Sequence, residues 1–164
     1  MIRRTDDLRI REIRPLIPPA ILLEELPLTR RSAATVARAR EDVAAIIRGE
    51  DPRLIAVVGP CSIHDTGAAL EYADRLAEVA RRLAGDLVVV MRAYFEKPRT
   101  VAGWKGLIND PDLDESYHIN KGLRLARTRL LAVNEHGLPT ASEFLDTQVP
   151  QYLADLTSVA AIGA

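Results

Sequence analysis

One cysteine, a run of closely spaced cations and a strand-end carboxylate are the groups in this sequence that could do chemistry together. Cys61 stands in GPCSIHD, residues 59–65, directly after an apolar stretch beginning at Leu54. It is the only cysteine and cannot form an internal disulfide, so its thiol is free to act as a metal ligand or as a nucleophile. Downstream, RAYFEKPRTVAGWK places Arg92, Lys97, Arg99 and Lys105, four cations, within fourteen residues. Pro98 stiffens that segment and Thr100 adds a hydroxyl. Arginine suits bidentate capture of phosphate or carboxylate and lysine supplies a compact charge, so a phosphorylated ligand is the natural partner. A solvated basic loop would have the same residue types, and charge alone weighs the two readings equally. Glu143, in LPTASEF, adds the carboxylate.

The elements that must position these groups follow from periodicity. Residues 54–59 and DLVVVM at 86–91 read as buried parallel strands, being short apolar runs rich in valine. LPTASEF at 138–144 and VAAIG at 159–163 read as two more strands. Between them, three- and four-residue apolar spacings predict helices over 67–84 and 116–136, and Pro150 opens a third. Four strands joined by helical crossovers argue for a parallel α/β sheet. Cys61, Arg92, Glu143 and the Gly163-Ala164 backbone then lie at the carboxyl ends of successive strands, the edge where βα proteins do chemistry. The connection 92–115 has no helical period and is longer than an ordinary βα loop, as functional loops are. Ahead of the first strand, 30–48 reads as a helix, and the Pro18-Pro19 pair marks 1–28 as an extended arm.

Composition narrows the function classes. The chain has 164 residues, 48% of them hydrophobic, and a net charge of -1, which offers no overall attraction to nucleic acid or an anionic membrane. No apolar run approaches the roughly 20 residues of a membrane span. MIRRTDDLRIRE lacks the apolar core of a secretory signal, so a cytoplasmic location is expected.

The motifs GPCSIHD (59–65), MRAYFEKPRT (91–100), GWKGLINDP (103–111), EFLD, PQYLADL and AIGA, in this order, resemble the class I 3-deoxy-D-arabino-heptulosonate 7-phosphate (DAHP) synthases. These are long, rare motifs, and the likeness runs from about residue 6 to 164. It implies a TIM (β/α)8 barrel, here its first four βα units over 53–164 behind an amino-terminal extension over 1–52. It also implies condensation of phosphoenolpyruvate with erythrose 4-phosphate and water, releasing phosphate, the first step of the shikimate pathway. A divalent metal of the Mn, Fe, Co or Zn class assists, with no organic cofactor.

Carried over by motif, Cys61 is a metal ligand, and Arg92, Lys97, Glu143, Gly163 and Ala164 hold phosphoenolpyruvate. Lys97, Pro98, Arg99 and Thr100 receive erythrose 4-phosphate, while Lys97 and Glu143 are the catalytic pair. Asp6, Asp7, Asp146 and Gln151 lie in motifs tied to the binding of an aromatic amino acid effector. The extension resembles the family's oligomer-forming segment, so a dimer or tetramer is expected. DDLRIREI and PP-x-x-LLE are nearer to phenylalanine-sensitive members. From composition alone Cys61 would be core, and only its strand-end motif reverses that. His64 reads as a turn-shaping residue, His118 and His136 as ordinary polar positions, and Trp104 as a loop anchor.

A complete barrel needs eight strands and about 250 residues, so the chain is expected to be an amino-terminal half, nearly inactive alone. The remaining metal ligands and phosphate-binding cations of the family belong to later strands. The alternative expectation is a noncatalytic module for oligomerisation or effector binding, and a third is another phosphate-using βα-barrel enzyme.

Overall fold

The computed structural model describes residues 6, 8–10, 12–99 and 103–163. Its elements are α1 (Pro19–Glu25), α2 (Arg30–Ile47), β1 (Leu54–Val58), α3 (Thr66–Arg82), β2 (Leu87–Arg92), α4 (Ile119–Glu135), β3 (Thr140–Phe144), α5 (Pro150–Leu153), a 3-10 turn (Ala154–Leu156) and β4 (Val159–Ile162). The four strands pair in sequence order and all in parallel, with Val57 opposite Val90, Arg92 opposite Ala141 and Glu143 opposite Ala161. This is the expected arc of four βα units. Among the described residues β1 and β4 each pair on one side only, leaving Leu54 68% and Ile162 90% exposed.

Strand alternation divides β2 between two apolar layers. Val89 and Met91 pack outward into the main core, with Ala69, Ala73 and Ala77 of α3 and Leu123, Ala126 and Leu130 of α4. Val88 and Val90 face the other way, grouped with Ala141, Ile55 and Val159 and covered by Val43 and Ile46 of α2. Being buried on both faces is why VVVM reads as an unbroken apolar run.

Two expectations are corrected here. The Pro18-Pro19 pair does not prolong an extended arm. Pro19 occupies the first turn of α1, where its fixed φ and missing N–H cost nothing, and the helix drives Leu22 to full burial. The α4 helix starts at Ile119, not 116, because Leu113, Glu115 and Tyr117 adopt positive φ of 59°, 60° and 51°, which no helix accommodates.

One buried cation ties the extension to the barrel units. Arg127 of α4 is fully buried and donates from Nε to the carbonyl of Leu26 at 2.7 Å and from Nη1 to that of Tyr152 at 2.8 Å. Its two terminal nitrogens grip both carboxylate oxygens of Asp155 at 2.7 and 2.8 Å. Removing one partner of such a group leaves the others desolvated and unpaired. Arg127→Ala is therefore expected to cost about 3–5 kcal/mol in denaturant-induced unfolding. Arg127→Lys, which keeps the charge but not the planar fork, should recover little of it.

Candidate functional site

The turn after β1 is shaped by contact with β2. Gly59 has φ of +150°, and a Cβ there would lie 2.8 Å from the carbonyl oxygen of Arg92, so only glycine lets the two strand ends approach. The Ile63 amide donates to the carbonyl of Tyr94 at 2.9 Å, fixing the turn against the segment leaving β2. Asp65 then caps α3, accepting from the amides of Gly67 and Ala68 at 2.8 and 2.9 Å. These bonds hold its carboxyl below the usual range. Cys61 sits exposed between these anchors.

Three of the expected groups meet there. Lys97 Nζ lies 2.8 Å from Cys61 Sγ, and that bond, aided by the charges of Lys97 and Arg92, pulls the thiol below its ordinary pKa. Arg92 Nη2 donates to the Cys61 carbonyl at 3.4 Å, and its guanidinium stacks 4.2 Å from the centre of the Tyr94 ring. Its Nε is buried and has no hydrogen-bond partner among the described residues. A cation held flat on a ring with a free donor is poised to take an anion's oxygen.

The loop carrying Lys97 folds back on itself. The Lys97 amide donates to the Lys105 carbonyl at 2.9 Å, that of Ile108 to Phe95 at 3.3 Å, and Trp104 Nε1 to the Asp110 carbonyl at 2.7 Å. Trp104 also meets the ring of His64 edge-on, at 6.4 Å between centroids, so the expected anchor joins the two loops. Gly106, at φ of +105°, passes so close to Phe95 and Glu96 that a Cβ would lie 2.7 Å from Glu96 Cα. Gly122 likewise lets the Leu107-Ile108 backbone rest on α4, where any side chain would strike it.

Glu143, on β3, lies beside Gly163, where a Cβ would come within 3.2 Å of Glu143 Oε1. Beneath Lys97, the Glu96 side chain is only 6% exposed, with Oε2 accepting from the Leu145 amide at 3.3 Å. Burial, with Asp146 and Glu143 adding repulsion, pushes its carboxyl above the ordinary range despite backbone hydrogen bonds from Leu145 and Asp146. Glu96 and Asp146 line a cavity of about 170 Å³ with Leu16, Gln148, Val149 and Tyr152.

The expected residues therefore fall into groups. Cys61, Arg92 and Lys97 touch, and Glu143 and Gly163 form a second pair on the neighbouring strands. Pro98 and Arg99 are exposed on the loop. Asp146 borders the cavity, whereas Gln151 is exposed on α5 and Asp6 is exposed on the arm. Asp7, Thr100 and Ala164 lie outside the described residues. Among the described residues no three His, Cys, Asp or Glu groups stand together as a metal site. Cys61 offers one donor, already engaged by Lys97, so these residues do not by themselves fit a divalent ion. Tyr94, Glu96, Gly106 and Gly122 are additions that sequence reasoning missed, and only the glycine interrupting the helical period of α4 gave a signal.

The family model described as the DAHP synthetase I family matches residues 29–164. A Phe-sensitive phospho-2-dehydro-3-deoxyheptonate aldolase of Escherichia coli is 58% identical over 161 residues, covering 98% of this chain and 46% of that protein. A Trp-sensitive relative from Enterobacter agglomerans is 55% identical over 163 residues, covering 99% and 47%. The solved structure of the Francisella tularensis aldolase superimposes with a TM-score of 0.90 at 52% identity, over 94% of this chain and 46% of that one. The chain thus spans less than half the length of these relatives.

Glu96 yields a prediction whose sign is fixed by its raised folded-state pKa. The native state binds the proton more tightly than the unfolded chain, so this group's contribution to stability is full below the unfolded pKa and is lost as pH rises through the folded one. Glu96→Gln is expected to unfold at a higher temperature than the parent near neutral pH. The gain should vanish as pH falls to about 4, followed by calorimetry or circular dichroism across the range.

Proposed function

The chain belongs to the DAHP synthetase I family, and from that premise we propose that it carries the phosphoenolpyruvate-gripping part of a DAHP synthase. The observation that carries this reading is the convergence of Arg92, Lys97 and Cys61 at the carboxyl edge of the sheet. Arg92, stacked on Tyr94 with a buried unpaired Nε, binds the enolpyruvyl phosphate or carboxylate. Lys97 supplies a second cation and reaches the reacting centre, and Glu143 orients water on the opposite side of the cluster. Pro98, Arg99 and Thr100 receive the phosphate of erythrose 4-phosphate on the same loop, while Gly163, with no side chain, gives a backbone approach beside Glu143, and Ala164 is assigned to the phosphate of phosphoenolpyruvate by its motif. Together these groups would hold the two anionic substrates side by side.

The role of Cys61 as a ligand of a divalent metal holds only with donors from outside the described residues. For the same reason, condensation of phosphoenolpyruvate with erythrose 4-phosphate depends on groups beyond those present here.

Two features support assembly and regulation. Leu8, Ile10 and Ile13 of the arm are 69%, 53% and 73% exposed, an apolar stripe that a homo-oligomer, dimer or tetramer, would cover. The cavity beside Asp146 combines carboxylates with apolar walls, which suits the ammonium group and side chain of an aromatic amino acid. The names of the relatives, Phe-sensitive and Trp-sensitive, agree with such an effector.

Titration calorimetry of the whole 164-residue chain tests the central assignment. Phosphoenolpyruvate is expected to bind, and Arg92→Ala and Lys97→Ala each to weaken it by about tenfold or more. Unchanged affinity in both variants would sink the assignment. Condensation by the purified chain alone at the rate of its full-length relatives would instead overturn the separate dependence of that reaction on further groups.

A further inference from the structure

A carboxylate kept in an apolar setting at a cost in stability calls for a reason. Glu96 directly precedes Lys97, yet its side chain turns away from the anion-binding edge into the cavity under the loop. There its Oε2 accepts from the backbone amide of Leu145, the first residue after β3, at 3.3 Å. Its own backbone is enclosed by the returning strand of the loop, where Gly106 crosses close to its Cα. Glu96 is thus the side chain that joins the cation-bearing loop to the connection between β3 and α5.

We propose that Glu96 is a positioning residue, whose side chain latches the Lys97 loop to the segment after Glu143 and so sets the distance between the two halves of the anion site. The latch is a hydrogen bond to one backbone amide. Glutamine keeps a carbonyl oxygen that can accept that bond, and alanine keeps none. The titratable groups facing it are Glu143 on β3, Asp146 in the connection and the Tyr152 hydroxyl on α5. The arm, loop and α4 present uncharged side chains, Leu16, Ile108, Asn109 and Leu123 among them. Both carboxylates repel the ionised form and none of these neighbours is a cation, so the closed latch binds a proton more tightly than an exposed glutamate would, and mild acidity favours the closed state.

The anion-binding half of this idea rests on the function proposed above, but the latch itself is readable without any ligand. Amide hydrogen exchange of the full chain, corrected for intrinsic rates, reports the Lys97 and Ile108 amides, whose partners lie within the loop. In the parent chain their protection is expected to rise as pH is lowered from about 8 to about 5, with β2 and α3 unchanged. Glu96→Gln should keep a protection that does not vary with pH, and Glu96→Ala should lower it about tenfold at every pH. The lone Trp104, in the same loop, should shift its emission to longer wavelength in the alanine variant.

A parent-like pH transition in Glu96→Gln, which retains Asp146, Glu143 and His64, would overturn the latch, as would parent-like protection in Glu96→Ala. Phosphoenolpyruvate titration separates the two layers. Affinity about tenfold weaker in Glu96→Ala, with Arg92 and Lys97 intact, supports the positioning role. If the parent itself binds no phosphoenolpyruvate, the function proposed above fails, while the exchange result still decides the latch.

Discussion

Arg127 is the constraint on which the remaining packing depends. Its guanidinium lies where the end of α1, α4, α5 and the 3-10 turn before β4 meet, and its four bonds go to three parts of that junction, Leu26, Tyr152 and Asp155. A charge with no exposure is tolerable only because the carbonyls and the Asp155 carboxylate take the place of water on four of its five N–H donors. That requirement is geometric as well as energetic. The carbonyl of Leu26 can accept only if the extension crosses α4 at this point, which also brings the Ile17 carbonyl to the Tyr152 hydroxyl at 2.6 Å. The extension is therefore built into the packing of the βα units and is not merely tethered to them.

With α4 fixed, the long loop after β2 has a floor to lie on. Its backbone touches α4 at Gly122 and folds over itself at Gly106, two close approaches that a methyl group at either position would forbid. The loop is thereby held by main-chain contacts, which leaves its cations free for the site. Arg92 then rests on an aromatic face and Lys97 on a thiol. Neither cation contact at the thiol turn involves a carboxylate, so among the described residues the positive charge of Arg92 and Lys97 is not neutralised by an acid at contact distance. This is the electrostatic condition for taking an anion from water.

The sequence made some of this legible and hid the rest for identifiable reasons. Cys61, Arg92 and Glu143 stand at strand ends that alternation and valine content mark without any tertiary knowledge, and parallel topology then places them on one edge. The helix at Pro19–Glu25 was missed because a proline pair reads as a break unless the residues after it are weighed as a first turn. Arg127 was missed because periodicity counts an arginine in an amphipathic helix as solvent-facing. Its partners at Leu26 and Asp155 are 101 and 28 residues away, beyond any local pattern. Glu96 reads as one more charge in a polar loop, and only burial shows that it faces inward. Glycine roles at 106 and 122 depend on what passes nearby, which spacing does not encode.

What was hidden is mostly what sets geometry, and what was legible is mostly what does chemistry. The division has a physical basis. A group that contacts a ligand must be of a definite chemical type at a strand end or loop, so its identity is informative by itself. A group that positions it works through distance, and several residue types could stand there if the surrounding chain allowed. Glu96 joins the two classes. It is an ionisable side chain committed wholly to backbone contacts, and it costs stability at neutral pH where an amide would not. Natural chains shed such costs at positions where only packing is at stake, since substitutions that relieve them are easily found. Its place one residue from Lys97, bonded to the segment after β3, links that cost to the placement of the cation more directly than to the needs of the core.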